Sequence, residues 1–358
     1  MGKKKKKKSG LPLTLALLAA LAFAGYLGGR YLLDNKIPNV RLAEGKGAYD
    51  LYVYPGTEVE AVLDTLKTLV SRPGSLERSF RDKEVAKYMK PGHYTVQNGQ
   101  TSVYLARMLN NGWQTEVNLT ITGERLLGRL ARKISGQMMM DSTEVAAGLK
   151  DSLLLARYGF TPSTVYALFM PDTYRIKWTA GFEEILDLQK KAYDAFWTEE
   201  NDKKAGKLGL SRLEVSTLAS IVKGESRAPQ DFAKIAGVYI NRLRMGMKLQ
   251  ACPTVAFLTG YTKSRILISD TRQESPYNTY LHFGLPPGPI AVPEKPYLEA
   301  VLNPDTKDGY IFFCADPSFN GLHRFARTLS EHNANGREYQ QAFKARQAAR
   351  KAAEQQGG

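Results

Sequence analysis

The chain has 358 residues, two cysteines, four histidines and a formal net charge of +15, with 43% hydrophobic and 24% charged residues. That length suits two modest globular domains. Two cysteines exclude a disulfide framework, and no histidine pairs with Cys, Asp or Glu at metal-ligand spacing, so neither metal nor cofactor is expected. With no zinc spacing, phosphate-binding glycine loop or RNA-binding aromatic signature, the basic balance points away from nucleic acid and toward anionic lipid or an anionic polymer outside the cell.

Six of the positive charges form the run Lys3–Lys8, and without them the body carries about +9. An almost uninterrupted apolar stretch follows from Leu11 to Gly29 and ends at Arg30. About 20 apolar residues span a bilayer, and a basic flank stays in the cytoplasm. The expected order is a cytoplasmic tail over 1–10, a transmembrane helix over 11–33 and a polar stalk over 34–48. A cleaved signal peptide stays open, since Ala22-Phe-Ala24 before Gly25 is a small-residue cleavage site. Both readings export the rest of the chain.

A pattern then recurs. Leu51-Tyr-Val-Tyr-Pro-Gly56 leads into Val59–Leu69, His93–Gly99 into Ser102–Leu109, and Val117–Gly123 into Leu126–Ile134. Each reads as an alternating strand, a glycine turn and an amphipathic helix. These units define a small α+β module over 49–135. Tyr49, Tyr52, Tyr54, Tyr94 and Tyr104 are available for stacking on sugars or for ordinary strand packing. Met138–Met140 reads as core filling, and Asp141–Tyr158 as one helix closed by Gly159.

The second domain, 136–344, is organised around Ser211-Arg-Leu-Glu-Val-Ser-Thr-Leu-Ala-Ser-Ile-Val-Lys-Gly-Glu225-Ser226. Ser211 with Glu214 is a capping box, so a helix starts there. Leu218, Ile221, Val222 and Glu225 recur at helical spacing, which puts Glu225 at the end of an apolar stripe. A carboxyl against apolar packing loses hydration, its pKa rises, and it becomes a general acid near neutrality. A lone glutamate at a helix end otherwise turns to water. Three downstream stretches favour the chemical reading: Asn241-Arg-Leu243, Tyr277-Asn-Thr-Tyr280 and Gly284-Leu-Pro-Pro-Gly-Pro-Ile290. For the companions the plain readings are a loop or capping carboxylate at Glu274, a hydrogen-bonding His323, Arg242 paired with a carboxylate, and a turn at Asp270–Arg272. Cys252 and Cys314 sit in apolar stretches and read as buried free thiols, with one bridge open outside the cytoplasm. The polar tail over 345–358 is helix-prone.

Pro171-Asp-Thr-Tyr174, Leu218–Ser226, Gly237–Leu243, Gly246–Gln250, Pro253-Thr-Val255, Tyr277–Tyr280, Gly284–Ile290, His323, Phe325, Thr328 and Glu331-His-Asn333 occur in that order. Together they resemble the YceG-like family, the MltG-type endolytic murein transglycosylases, over roughly residues 50–345. The resemblance implies an α+β protein with an N-terminal transmembrane helix, a LysM-like glycan-binding module and a mixed α+β catalytic domain. It implies Glu225 as catalytic acid, with Ser226, Gln250, Thr254, Tyr277, Asn278, Tyr280 and His323 binding substrate. The implied activity is cleavage of the bond between N-acetylmuramic acid and N-acetylglucosamine in nascent peptidoglycan strands, leaving 1,6-anhydro ends. The implied setting is the bacterial cytoplasmic membrane with the catalytic domain outside, and the implied partners include peptidoglycan synthases of the elongation machinery. Cys252 stands where many relatives have Asp, and Lys223 where some have Glu. A hydrolytic muramidase using Glu274 and a non-catalytic peptidoglycan-binding scaffold stay open.

Overall fold

The computed structural model describes residues 11–263 and 265–356, so the Lys3–Lys8 run and the two final glycines lie outside the described residues. The chain divides into two units. One runs to Val117 and includes Arg175–Thr179; the other comprises Asn118–Tyr174 and Ala180 onward. Both are mixtures of helices and short two-stranded sheets, an α+β architecture.

The first unit begins with α1 (Leu11–Asn35), of which Thr14–Asn35 is long and apolar enough to cross a membrane by length and composition. Its last turns belong to the unit. Arg30 pairs with Asp82, and buried Asp34 accepts from the Ser75 hydroxyl and, at 2.9 Å, from Arg78. The first part of the segment expected as a polar stalk also packs into the unit, with Asn39 and Val40 buried, while residues 43–48 are exposed. Asn39 is fully buried; its amide donates to the Arg72 carbonyl at 3.1 Å and Ser102 Oγ at 2.8 Å, and its oxygen accepts the Arg72 N–H at 2.8 Å. One side chain thus satisfies groups that burial would otherwise leave unpaired.

Strands β1 (Ala48–Val53) and β2 (Gly92–Gln97) pair antiparallel with Leu51 opposite Tyr94. The two-residue period sends Leu51, Val53, Tyr94 and Val96 inward, while Tyr52 faces out. Helices α2 (Val59–Lys67), α3 (Pro73–Asp82), α4 (Val85–Tyr88) and α5 (Ser102–Asn111) complete the core through Leu66, Leu76, Leu105 and Leu109. Thr101 caps α5 by accepting the Tyr104 N–H at 3.2 Å. Gly112 ends α5 in the left-handed region at φ 66°, where a side chain would be strained. Tyr94 lies wholly in this core and donates to the Lys90 carbonyl at 2.8 Å, so it is not a sugar platform. Tyr52 stacks on His93 at 4.7 Å and meets Trp178 edge-on. Tyr104 and Trp113 remain exposed as a tilted pair 5.7 Å apart.

In the second unit the third strand–turn–helix stretch takes a different partner, since β3 (Val117–Ile121) pairs with β4 (Asp172–Ile176) rather than with the first sheet. Between them lie α6 (Leu127–Ser135), α7 (Ser142–Gly148) and α8 (Ser152–Ala156). The single helix expected over Asp141–Tyr158 is therefore two. Asp151 supplies a second start by accepting the Leu153 and Leu154 N–H groups at 2.9 and 3.0 Å. Met138 and Met140 are buried, as core filling requires. Helices α9 (Phe182–Phe196), α10 (Glu199–Leu208), α11 (Arg212–Glu225), α12 (Pro229–Arg244), α13 (Cys252–Leu258) and α14 (Lys295–Leu302) follow. The hairpin β5 (Phe312–Ala315)–β6 (His323–Ala326) and α15 (Leu329–Gln356) end the chain.

The centre of this unit is α11, packed by α12, α13 and α14. Ser211 and Glu214 form the expected capping box, with the Glu214 N–H donating to Ser211 Oγ at 3.2 Å and the Ser211 N–H to Glu214 Oε2 at 2.8 Å. Close approach is bought with glycine at two positions. A Cβ on Gly237 of α12 would lie 2.0 Å from the Asp305 carbonyl oxygen, and one on Gly224 would lie 2.4 Å from the Pro253 ring. Because the Asp305 obstacle is backbone, Gly237→Ala is expected to cost about 1–3 kcal/mol. Urea unfolding checks this, with Gly128→Ala as the control, since Gly128 faces open space and should show no loss.

Candidate active site

Helix α11 places Leu218, Ile221 and Val222 in the core and ends on Glu225. The chain then turns within three residues, with Ser226 Oγ accepting the Ala228 N–H at 3.0 Å before Pro229 starts α12. Proline suits this first helical position, having no N–H to leave unpaired. The turn lets α12 pack against α11, and Tyr239, 2% exposed, donates its hydroxyl to Glu225 Oε1 at 2.6 Å.

Glu225 opens into a cavity of about 470 Å³. Its wall includes Tyr239, Gln250, Cys252, Tyr280, His323 and His332, and Glu225 is the only carboxylate among the described lining residues. Loss of hydration on burial pushes the Glu225 carboxyl up to about 7, against the pull of the Tyr239 hydrogen bond, which favours the ionised form. The group is therefore partly protonated at neutral pH, as a general acid requires.

The wall is stiff. Buried Arg242 donates to the carbonyls of Ile311 (2.8 Å), Lys248 (3.1 Å) and Leu249 (2.7 Å). The carboxylate partner expected for Arg242 is replaced by backbone oxygens, which brace the loop before α13. In that loop Gln250 adopts the left-handed region at φ 53°, uncommon for a residue with a side chain, while its N–H donates to the Thr279 carbonyl at 3.0 Å. His323 is fixed by Asp231, whose buried Oδ2 accepts from the His323 backbone N–H at 2.8 Å and from Nδ1 at 2.9 Å. Cys252 Sγ lies 3.0 Å from the Tyr280 hydroxyl, and partial loss of hydration at the cavity wall pushes both groups up, so the thiol stays protonated. Cys252 is solvent-accessible and Cys314 half-buried, and both are free thiols on the same cavity wall, which corrects their expected burial.

Of the residues expected to contact substrate, Gln250, Tyr280 and His323 share the cavity with Glu225, and Ser226, Thr254, Tyr277 and Asn278 do not line it. Ser226 shapes the α11–α12 turn. Thr254 is buried, donating to the Ala251 carbonyl at 2.8 Å and lying 2.9 Å from Thr279 Oγ1. Asn278 is fully buried; its amide donates to the carbonyls of Thr271 (3.0 Å) and Gln273 (2.7 Å), and its oxygen accepts the Tyr280 N–H at 3.0 Å. It thereby aims Tyr280 at the cavity. Tyr277 packs against Phe257, ring centroids 4.9 Å apart. Glu274 is exposed and 2.8 Å from His282, outside the cavity wall. Sequence reasoning missed Tyr239 and Asp231, whose signal was a tyrosine and an aspartate on the otherwise apolar face of the helix after the glutamate.

One carboxyl raised to about 7 faces hydroxyl, amide and imidazole groups across a small cavity on a mainly helical α+β unit, an arrangement that suits general-acid chemistry. The chain belongs to the YceG-like family, whose model matches residues 51–338. It is 26% identical over 339 residues to the endolytic murein transglycosylase of Bacillus subtilis (strain 168), covering 87% of this chain and 91% of that one. It is 28% identical over 365 residues to the endolytic murein transglycosylase of Streptococcus pneumoniae serotype 2 (strain D39 / NCTC 7466), covering 91% of this chain and 64% of that longer protein. A crystal structure of a YceG-like protein from Listeria monocytogenes superposes with a TM-score of 0.53 at 26% identity, covering 81% of this chain and 99% of that one.

Proposed function

We propose that this chain is a membrane-anchored endolytic lytic transglycosylase that cleaves peptidoglycan strands between N-acetylmuramic acid and N-acetylglucosamine, with Glu225 as its catalytic acid and base. The observation that carries this reading is the single carboxyl in the cavity, raised to about 7. Hydrolytic glycosidases use two carboxylates, one as acid and one as nucleophile or base. A reaction that consumes no water manages with one. Tyr239 donates to Oε1, so the acidic proton sits on Oε2. Glu225 gives that proton to the glycosidic oxygen as the C1–O bond breaks, and the N-acetylglucosamine end leaves as an alcohol. The carboxylate then takes the proton from the muramic acid C6 hydroxyl, whose oxygen bonds to C1 and closes the 1,6-anhydro ring. The substrate's own acetamido oxygen stabilises the positive charge on the ring between the two steps. Gln250, Tyr280 and His323 hold the sugar, and positioning of this kind is worth several kcal/mol.

The relatives' names support the substrate class. The apolar helix α1 supports the anchor, and the Lys3–Lys8 run supports an N-terminus in the cytoplasm with the catalytic unit outside. The first unit serves as the LysM-like module, with exposed Tyr104 and Trp113 as its sugar platform. Partnership with peptidoglycan synthases fits an enzyme acting on nascent strands. The test is mass spectrometry of glycan strands digested by the full chain. Products one water lighter than hydrolysis products are expected; hydrated reducing ends would replace this reading with a muramidase.

A further inference from the structure

We propose that a second cavity, off the opposite face of the end of α11, binds an anionic group carried by the glycan substrate. The identity of the ligand rests on the peptidoglycan reading above; the site itself rests on its own geometry. At 3.6 residues per turn, two residues rotate a side chain by about 200°. Lys223 therefore leaves α11 on the side away from Glu225, and Arg227 follows in the turn just beyond. With Arg125 and Arg129 they line a cavity of about 430 Å³ that shares no lining residue with the Glu225 cavity.

Two acids also line this cavity, and both are already engaged. Glu294 lies 2.9 Å from Lys223, and Glu124 lies 2.5 Å from Lys133 while accepting from Thr122 Oγ1 at 2.9 Å. Lys223 is further committed to the carbonyls of Gly123 and Val292. Glycine at 123 leaves room for this pair, since a Cβ there would meet the tips of both Lys223 and Glu294. Among the described residues, Arg125, Arg129 and Arg227 have no carboxylate within ion-pair distance. Arg125 is held over the Tyr261 ring, 5.2 Å from its centre. Four cations against two carboxylates leave the concavity net positive, with Arg129 also acting at longer range on Glu124, and the planar guanidinium forks match carboxylate and phosphate oxygens in pairs.

Two parts of a nascent strand carry such oxygens: the carboxylates of its stem peptides, and the diphosphate at a lipid-linked end. Either would hold the polymer beside the Glu225 cavity. The experiment measures binding with the full chain in detergent micelles, carrying Glu225→Gln so that strands stay whole. Probes are glycan strands with stem peptides, the same strands stripped of peptides, and inorganic diphosphate as competitor. Stem-bearing strands are expected to bind about tenfold tighter than stripped ones, and Arg129→Ala/Arg227→Ala to abolish the difference. Both arginines are exposed, so the double variant should fold. Competition by diphosphate in the parent but not in the double variant would assign the site to the lipid-linked end. The proposal is overturned if the parent shows neither stem dependence nor diphosphate competition, or if the double variant weakens both strands equally. Because binding is read without cleavage, these outcomes do not depend on whether the chain cuts glycan.

Discussion

Glu225→Gln is expected to abolish strand cleavage, by at least a thousandfold, while making the folded protein more stable above neutral pH. The amide keeps the shape and can still accept the Tyr239 hydroxyl, but has no proton to give, so the acid step loses its donor. The stability effect follows from linkage. Glu225 has its ordinary value of 4.5 in the unfolded chain and about 7 in the fold. Between those values the folded state binds more protons than the unfolded state, so stability falls as pH rises from 4.5 to about 7 and then levels off. Below 4.5 the group is protonated in both states and costs nothing. Glutamine removes the penalty and is expected to gain up to about 3 kcal/mol at pH 8, with little difference at pH 4. Urea unfolding at both pH values checks the sign. An equal gap at pH 4 and pH 8 would mean that the carboxyl is not desolvated as argued, and residual lytic activity in the amide variant would remove Glu225 from the chemistry.

Such a trade of stability for function explains why this helix end was visible in the sequence. Its signals are local: the capping box fixes where α11 starts, and the 3.6-residue period carries Leu218, Ile221 and Val222 inward and Glu225 with them. A charged residue on that stripe breaks the usual pattern, and such breaks mark working sites. The partner of Glu225 left a weaker mark. Tyr239 lies among Val238 and Ile240 in a buried helix face, where a tyrosine reads as packing, and only the pairing of α11 with α12 shows its hydroxyl aimed at the carboxyl. Asn278 and Thr254 stood out by motif, yet their side chains satisfy buried backbone groups. A motif marks residues that a geometry requires, without separating those that touch the ligand from those that hold the loop. The break in the Asp141–Tyr158 helix was missed for a related reason. Asp151 also suits an exposed helical position, and its cap forms only once the turn before it closes.

Tyr239→Phe is the variant that separates the two halves of this site. The Tyr239 hydroxyl favours the ionised carboxyl, so its removal raises the Glu225 pKa above about 7. The alkaline limb of kcat, which reports loss of the acidic proton in the enzyme–substrate complex, is expected to move up by about one unit. The maximal rate moves the other way. In the proposed reaction ionised Glu225 is what the first step produces and what the second step uses as base, and without its donor that carboxylate is less stable. A hydrogen bond to a charged group contributes about 1.5–3 kcal/mol, so kcat at the optimum is expected to fall about tenfold to a hundredfold. Tyr239 is buried at 2% exposure and phenylalanine keeps its ring, so packing alone predicts a smaller rate change and no shift of the limb. A pH–rate series on strand cleavage by wild type and variant distinguishes the two. If the rate falls while the limb stays fixed, Tyr239 acts through packing; if the limb moves, its hydroxyl sets the balance between Glu225 as acid and Glu225 as base.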